Sequence, residues 1–259
     1  MKMEKANESY IKKLIEDGTR ADGRKFDEYR EISVETGVID NAEGSARVKI
    51  GKTTVLAGIK MAVGKPFPDT PNDGVLIVNA EFAPIASVDF DPGPPGEDSI
   101  EMSRIIDRAI RESHTIDTEK LVIEEGEKVW MVNVDIQIMD HDGNLRDAGA
   151  LAAMAALMVA RKPKYDGERI VFGEYEGKLP LTDSPTETTI FKIADNLLVD
   201  ATAEEEYAVD ALITIGTTKK GDICAIQKSG EGYFTEEELL KAAELAIAKG
   251  KELQKHLKA

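Results

Sequence analysis

Residues 141–158 read HDGNLRDAGALAAMAALM, a polar turn that leads directly into an Ala-rich apolar segment. The preceding segment, residues 128–138, alternates apolar and polar side chains as a half-buried strand does. Together they predict a strand, a glycine-containing turn and a helix, with Asp147 as a plausible cap. The first N–H groups of a helix lack backbone partners and lie at the positive end of its dipole. Such a turn can therefore hold a phosphate group or serve only to begin the helix.

Strand-like and helical segments continue on both sides of this unit. Those before it are alternating segments at 31–36 and 45–61, a candidate buried strand at 74–82 and an amphipathic helix over 101–113. Those after it are strand-like segments near 188–200, 208–217 and 222–227. A long helix is expected to follow, beginning at Thr235 with Glu238 completing a capping box. Because strands followed by a helix occur twice, we predict an α/β (α+β) fold of two similar strand-plus-helix halves, with helices packed on mixed sheets.

The same pattern divides the chain into four segments. Residues 1–18 are predicted as an N-terminal helix or arm, and residues 19–163 as the first half. After Lys162-Pro163 the composition changes, and residues 164–187 are predicted as a linker with a few strand-like residues. Residues 188–259 form the predicted second half.

Composition and charge limit the class of protein. No run of about 18 apolar residues is present in the 259 residues, so no membrane span is expected. The polar start MKMEKANESY does not resemble a secretory signal, and the single Cys224 rules out an internal disulfide, so we expect a cytoplasmic protein. The net charge of −16 argues against nonspecific nucleic-acid binding by the isolated chain. A polyanion would need a local basic patch or a basic partner.

Three arginines on the predicted helix over 101–113 are the first candidate binding residues. Arg104, Arg108 and Arg111 share one face at spacings of four and three residues. Guanidinium groups present planar sets of N–H donors that suit phosphate oxygens, so this row predicts contact with a phosphate backbone. A solvated helix face with local acidic partners is the alternative interpretation.

An acidic segment, LVDATAEEEYAVD at 198–210, is the second candidate. Its carboxylates could bind a hard cation such as Mg²⁺ or supply a general acid, or they could belong to a charged loop. They are Asp200, Glu204, Glu205, Glu206 and Asp210. No P-loop, dinucleotide fingerprint or zinc signature is present, and the histidines are scattered, so we predict neither a metal nor a cofactor for this chain.

Taken together, these segments resemble the RNase PH family of phosphate-dependent 3′→5′ exoribonucleases over about residues 19–250. The string TRADGRKFDEYR at 19–30 fits the opening pattern of that family, and its matching residues are Arg20, Asp22, Gly23, Arg24, Glu28 and Arg30. The strings PFPDTPNDGVLIVNAE at 66–81 and DPGPPGEDSIEMSRIIDRAIRES at 91–113 resemble the non-catalytic RNase PH-like subunits of the archaeal exosome core. The resemblance implies the RNase PH-like fold.

The candidate site departs from that of catalytic relatives. Those relatives carry Gly, Ser or Thr, and Arg where this chain has Asn144, Leu145 and Arg146. They also carry paired arginines after the Pro-Gly loop, where this chain has Glu97-Asp98. The acidic positions are retained as Asp200 and, six residues later, Glu206. The resemblance therefore implies a degenerate site and a chain that is not an enzyme by itself.

The resemblance also implies the partners. A non-catalytic subunit alternates with a catalytic RNase PH-like subunit in a hexameric ring, helps to structure its active site, and contacts single-stranded RNA at the interface. Arg104 and Arg108 match the RNA-contacting positions, and Arg111 lies on the same face. RNA-binding cap proteins sit on the ring, and the catalytic partner uses inorganic phosphate.

Two alternatives remain open at this point. The chain could be an active phosphorolytic exoribonuclease that uses Arg146, Asp200 and Glu206. It could also be a small-molecule phosphotransferase on a related scaffold, because a fold does not fix a function.

Overall fold

The computed structural model describes the backbone of residues 2–257 and the side chains from residue 8 onward. The outer ends of the first and last predicted segments, Met1 and residues 258–259, lie outside the described part. Within it, two sheets pack on either side of one central helix.

The first half is built on a six-stranded sheet. Its strands are β1 (Ile32–Thr36), β2 (Gly44–Ile50), β3 (Thr53–Gly64), β4 (Val75–Phe82), β5 (Val122–Glu124) and β6 (Lys128–Asp140). They lie in the order β1-β2-β3-β6-β4, with β5 also paired to β6, and only the β4–β6 pair is parallel. The alternation predicted for residues 128–138 is confirmed, because every second side chain from Trp130 to Ile138 lies on one face of the strand and is at most 2% exposed.

The second half contains an antiparallel four-stranded sheet. Its strands are β9 (Thr186–Ile193), β10 (Asn196–Val199), β11 (Ala211–Thr217) and β12 (Ile223–Ser229), in the order β10-β9-β11-β12. A separate hairpin of β7 (Arg161–Tyr165) and β8 (Ile170–Lys178) precedes it. The hairpin corrects the expected linker over residues 164–187, much of which is paired strand. The boundaries of the four segments stay a prediction.

Between residues 2 and 257, five α-helices complete the fold: α1 (Lys2–Glu16), α2 (Glu97–Glu112), α3 (Leu145–Val159), α4 (Ala203–Glu206) and α5 (Glu236–Leu253). Short 3₁₀ turns lie at Thr118–Leu121 and Gln254–His256. The predicted capping box is confirmed at α5, where the Thr235 hydroxyl accepts from the Glu238 N–H and the Glu238 carboxylate accepts from the Thr235 N–H.

The Ala-rich α3 is the central helix. It packs on β2 and β3 of the first sheet and on β9 of the second, and most of its residues are buried. Small side chains permit this close approach: a Cβ at Gly44 would overlap the carbonyl oxygen of Ala156, and one at Gly149 would overlap the Met102 side chain. The all-round apolar character of this helix is therefore a consequence of burial between two sheets.

The N-terminal helix packs against the second half rather than the first. Ile11 and Ile15 are at most 2% exposed and join a cluster with Phe191, Ile193 and Leu198. The chain then runs along the acidic segment at 198–210, called the acidic loop from here on, before it enters β1. This route places the opening string TRADGRKFDEYR beside residues 199–205.

Candidate functional site

The turn before α3 is shaped by two residues with positive φ. Gly143 has φ +85°, and a Cβ there would overlap the backbone of Ala201 and Thr202, so the acidic loop packs directly on the glycine. Asn144 follows with φ 55° at the N-cap position, but its side chain makes no capping hydrogen bond. Its amide nitrogen instead donates to Asp147 at 3.1 Å and to Asp200 at 3.0 Å. The turn therefore joins α3 to the acidic loop.

Asp147 is not the helix cap that the sequence suggests. Its carboxylate is fully buried and accepts hydrogen bonds from the Tyr29 hydroxyl at 2.5 Å and from the backbone N–H of Thr189 at 2.8 Å. It ties α3 to β9. Burial raises the pKa of Asp147 to about 7, although these hydrogen bonds oppose the rise.

Asp200 is enclosed by arginines from the opening string. Arg30 donates to its carboxylate from Nε at 2.9 Å, from Nη2 at 2.7 Å and from the backbone N–H at 2.7 Å, and Arg24 Nη1 adds a bond of 2.9 Å. Burial alone would raise the pKa of Asp200, but the hydrogen bonds and charge of Arg30 outweigh it and the pKa is lowered. Asp200 is 0% exposed, so it is an ionised anchor of the loop with no access to solvent.

A second buried ion pair fixes the same loop. Arg20 donates to Glu205 from Nε at 2.8 Å and from Nη2 at 2.6 Å, a bidentate pair with both side chains almost inaccessible. Its Nη2 also donates to the carbonyl of Asp200 at 2.7 Å. Sequence reasoning noted these arginines only as a family pattern and missed that they hold the acidic loop. The sequence did contain a signal for this role, because three arginines fall within the 12 residues at 19–30 although the chain as a whole is acidic.

Arg146 is held within its own chain. Its Nη2 donates to Glu101 Oε2 at 2.9 Å, and its Nη1 donates to the hydroxyls of Ser229 at 3.1 Å and Thr214 at 3.3 Å. The retained guanidinium thus bridges α2 and the second sheet. Leu145, the residue before it, is 9% exposed and faces the adjacent cavity.

A cavity of about 240 Å³ lies at the start of α3, and we call it the α3 cavity. Its apolar walls include Phe82, Phe90, Met102, Leu145 and Phe191. Its polar walls are Asp98, Glu101, His141, Asn144, Arg146 and Glu206. The predicted degenerate residues Asn144, Leu145, Arg146 and Glu206 therefore share one cavity, whereas Asp200 is buried and does not line it.

Glu206 is the carboxylate of this cavity that contacts the turn before α3. Its Oε1 accepts the backbone N–H of Asn144 at 2.8 Å, and its Oε2 is 4.0 Å from His141 Nε2. Burial raises the pKa of Glu206 to about 7 and lowers the pKa of His141. A carboxyl with this pKa could exchange protons near neutral pH.

The acidic segment does not form one cluster. Asp200 and Glu205 pair with different arginines, and Asp210 pairs with Lys12 at 3.0 Å and accepts the Ala194 N–H at 2.8 Å. Among the described residues, no group of three or more His, Cys, Asp or Glu is arranged to hold a metal ion. Asp200, Glu205 and Asp210 therefore act as separate ion-pair partners within this segment.

The arginines of α2 are all exposed, but their surroundings differ. Arg108 Nη1 donates to Gln227 of β12 at 3.1 Å, whereas Arg111 donates to Asp107 at 2.8 Å and to the carbonyl of Leu76 in β4 at 2.6 Å. The Arg104 side chain is exposed and has no hydrogen bond or ion pair to another described residue. The predicted row is thus divided, because Arg111 is turned to the first sheet and Arg108 to the second.

The buried helix between two sheets, with its turn fastened to an arginine-bound acidic loop, defines an RNase PH-like protein. Residues 28–163 match domain 1 of the 3′ exoribonuclease family, and residues 183–249 match domain 2. The chain therefore belongs to the 3′ exoribonuclease (RNase PH) family.

Within this family the chain is similar to archaeal proteins. It is 48% identical over 250 residues to the exosome complex component Rrp42 of Methanothermobacter thermautotrophicus, covering 95% of this chain and 92% of that protein. A chain of the Archaeoglobus fulgidus exosome, solved with RNA bound to the active site, superposes with a TM-score of 0.93 at 45% identity over the whole of both chains. A chain of an archaeal exosome core gives 0.88 at 42% identity, over 99% of this chain and 98% of that one.

No helix among residues 2–257 has both the length and the apolar character needed to cross a membrane.

Proposed function

We propose that this chain is a non-catalytic subunit of an exosome, a phosphate-dependent 3′→5′ RNA-degrading complex. It builds a hexameric ring with a catalytic RNase PH-like subunit, helps to structure that subunit's active site, and contacts single-stranded RNA at their interface. The similarity to archaeal Rrp42 components supports the exosome role and does not favour an independent phosphotransferase. In this proposal RNA-binding cap proteins are further partners, and the complex is cytoplasmic.

The observation that carries the non-catalytic assignment is the pairing of Arg146 with Glu101. Phosphorolysis depends on positive groups that hold the attacking phosphate and the RNA backbone. Here Arg146 is paired with Glu101, and Leu145 presents methyl groups where a hydroxyl donor would be needed. Glu97 and Asp98 are exposed in the first turn of α2, where they repel a phosphodiester while favouring the helix dipole. Inorganic phosphate is therefore used by the catalytic partner, and this chain needs no cofactor or metal.

Arg104 and Arg108 are the proposed RNA contacts. Both are exposed, and Arg104 is unengaged among the described residues while Arg108 is oriented by Gln227. Arg111 is assigned a smaller part, because Asp107 and the Leu76 carbonyl already occupy its donors. The net charge of −16 means that these arginines act beside a basic partner rather than alone.

The assignment is tested by RNA trimming with the chain alone and with its catalytic partner. The lone chain should not shorten a 5′-labelled single-stranded RNA with or without phosphate, and phosphate-dependent shortening should appear once the ring assembles. A ring with an inactivated catalytic partner is the control. Robust phosphate-dependent trimming by the lone chain would support the alternative of an active exoribonuclease using Arg146, Asp200 and Glu206.

The RNA-contact role is tested with the double variant Arg104→Ala, Arg108→Ala. Rings should assemble normally, while RNA affinity falls by about tenfold or more and depends less steeply on salt. The matched control is Arg47→Ala, Arg169→Ala, which removes two exposed arginines from other surfaces. Equal RNA affinity of the two double variants at moderate salt would reject the role.

A further inference from the structure

Side chains of helix α2 and of strand β12 meet at the edge of the second sheet. β12 is the end strand in the order β10-β9-β11-β12 and pairs only with β11 among the described strands. Gln227 and Ser229 are two residues apart, so they point to the same face of β12. On that face Ser229 donates to Glu101 of α2, and Gln227 accepts from Arg108 of α2. The helix and the strand are therefore joined at two points.

The first point is a closed network that fixes β12 against α2. The Ser229 hydroxyl donates to Glu101 Oε1 and accepts from Arg146 Nη1 at 3.1 Å, while Arg146 Nη2 donates to Glu101 Oε2 at 2.9 Å. Each of these three groups is thus bonded to the other two. The helix and the second sheet also pack closely, since a Cβ at Gly216 of β11 would lie 3.3 Å from the Ala109 Cβ of α2. Movement of the strand along the helix would break these contacts.

The second point holds a single guanidinium. Arg108 Nη1 donates to Gln227 Oε1 at 3.1 Å. A guanidinium has only donors, so the carbonyl oxygen is the part of the Gln227 amide that can meet it. At the other end of this amide, Nε2 donates to the carbonyl of Lys228 at 3.3 Å. Gln227 is half-buried, and both ends of its amide are engaged, so its acceptor is held in a fixed place beside α2.

This contact distinguishes Arg108 from the other arginines of α2. Arg111 is already bonded to a carboxylate of its own helix and to a carbonyl of β4. The exposed Arg104 side chain has no hydrogen bond or ion pair to another described residue. Arg108 meets a neutral acceptor, which fixes the side chain without compensating its charge. Its guanidinium therefore keeps a full positive charge and further donors for a phosphate group.

From this geometry we propose that Gln227 is a positioning residue for RNA binding, which holds the Arg108 guanidinium in its binding orientation and does not touch the RNA itself. The inference rests on the proposed role of Arg108 as an RNA contact. An unrestrained arginine loses rotamer freedom when it binds a phosphate, whereas Arg108 has lost part of that freedom beforehand. This preorganisation should raise RNA affinity by about threefold to tenfold.

The test compares RNA binding to assembled rings that carry Gln227→Met, which keeps the length of the side chain and removes its amide. Affinity for single-stranded RNA, measured in phosphate-free buffer, should fall by about threefold to tenfold, while native mass spectrometry shows the same ring. Gln227→Met should have no further effect in rings that already carry Arg108→Ala. It should keep its full effect in rings that carry Arg104→Ala. A general disturbance of α2 would not discriminate between the two arginines.

Salt dependence provides a second readout, and a matched glutamine provides the control. Arg108→Ala removes a charge, so RNA affinity should depend less steeply on salt, whereas Gln227→Met keeps the charge and should leave the slope as in the parent ring. The control is Gln137→Met. Gln137 is a half-buried glutamine on a strand of the first sheet with a side-chain hydrogen bond to Glu81, and its loss should not change RNA affinity.

Three outcomes would overturn the inference. An equal loss of affinity from Gln227→Met with and without Arg108 would mean that Gln227 acts through the fold in general. If Arg108→Ala weakens RNA binding and Gln227→Met does not, the positioning role is rejected while the RNA contact of Arg108 stands. If Arg108→Ala itself leaves RNA affinity unchanged, the proposed contact is rejected and the positioning role with it.

Discussion

A buried glutamate on β9 provides the sharpest prediction about stability. Glu187 is 2% exposed, and neither carboxylate oxygen has a hydrogen-bond partner in the part of the chain that the structure describes. Burial raises its pKa from 4.5 to about 8, and the charge of Asp147 adds to the rise while Arg146 opposes it. We therefore expect Glu187 to be protonated in the folded protein at neutral pH.

The sign and size of the effect follow from proton linkage. Below pH 4.5 the carboxyl is protonated in both the folded and the unfolded chain, so its burial costs no ionisation energy. Between pH 4.5 and pH 8 the unfolded chain releases the proton and the folded chain keeps it, so the free energy of unfolding falls with rising pH. At about 1.4 kcal/mol per pH unit, the loss is about 3 kcal/mol at pH 7 and about 4 kcal/mol at pH 8, where half of the folded chains have released the proton.

The perturbation is Glu187→Gln, which keeps the shape of the side chain and removes its ionisation. Because the amide cannot ionise, the variant should gain stability relative to the parent protein as pH rises, by about 4 kcal/mol between pH 5 and pH 8. Urea unfolding followed by circular dichroism at half-unit pH intervals measures this difference. Asp147 contributes a pH dependence of its own to both proteins, and its coupling to Glu187 is part of the measured difference.

Glu125→Gln is the control, because Glu125 is an exposed glutamate in the turn before β6. It should leave the pH profile of the unfolding free energy unchanged. Parallel pH profiles for the parent protein and Glu187→Gln would refute the reasoning, because they would mean that Glu187 ionises in the folded chain as easily as in the unfolded one.

Two further predictions concern the turn and the acidic loop. Arg30→Met should lower the free energy of unfolding at pH 7 by about 3–5 kcal/mol, because it leaves the buried Asp200 charge with fewer partners. Because folding lowers the pKa of Asp200, the ionised carboxylate stabilises the folded chain above pH 3.8, and this stabilisation is lost as the pH falls further. The stability difference between Arg30→Met and the parent protein, measured by urea unfolding, should therefore shrink toward pH 3. Gly143→Ala should lower the free energy of unfolding by at least about 1 kcal/mol, because φ is +85° and the added Cβ would overlap Ala201. Gly18→Ala is the control: Gly18 is exposed at φ +78°, and a Cβ there would contact no other atom, so only the backbone cost remains. Equal melting temperatures for the two glycine variants would contradict the contact with the acidic loop.

The sequence indicated which segments meet at the candidate site, but not which hydrogen bonds their side chains make. The turn at Asn144 and the acidic positions Asp200 and Glu206 do meet, as the order of segments suggested. The row of three arginines does not form a uniform surface, because Arg108 and Arg111 donate to opposite sheets. A helical period gives the angle of each residue around the axis, but not the acceptors that a neighbouring strand presents.

Local periodicity also explains where the fold was predictable. The alternation from Trp130 to Ile138 and the capping box at Thr235 are short-range signals, and both are confirmed. The β7–β8 hairpin was missed because its strands are largely exposed and interrupted at Pro163, so they lack an apolar alternation. The turn Asp166-Gly167 between them is a hairpin signal that could have revealed it.

The sequence by itself determined the two strand-plus-helix halves, the family and the position of a turn without a hydroxyl donor, because each of these depends on residues that are close together in the chain. Only the tertiary structure decided how the charges are used. Arg30 meets Asp200 across 170 residues of chain, and Arg146 meets Glu101 across 45. Glu187 and the unpaired oxygen of Asn144 look ordinary in the sequence and become unusual only when the two sheets close over α3. Burial and pairing set the free energy of a charge, and both arise from contacts between segments that are distant in the chain.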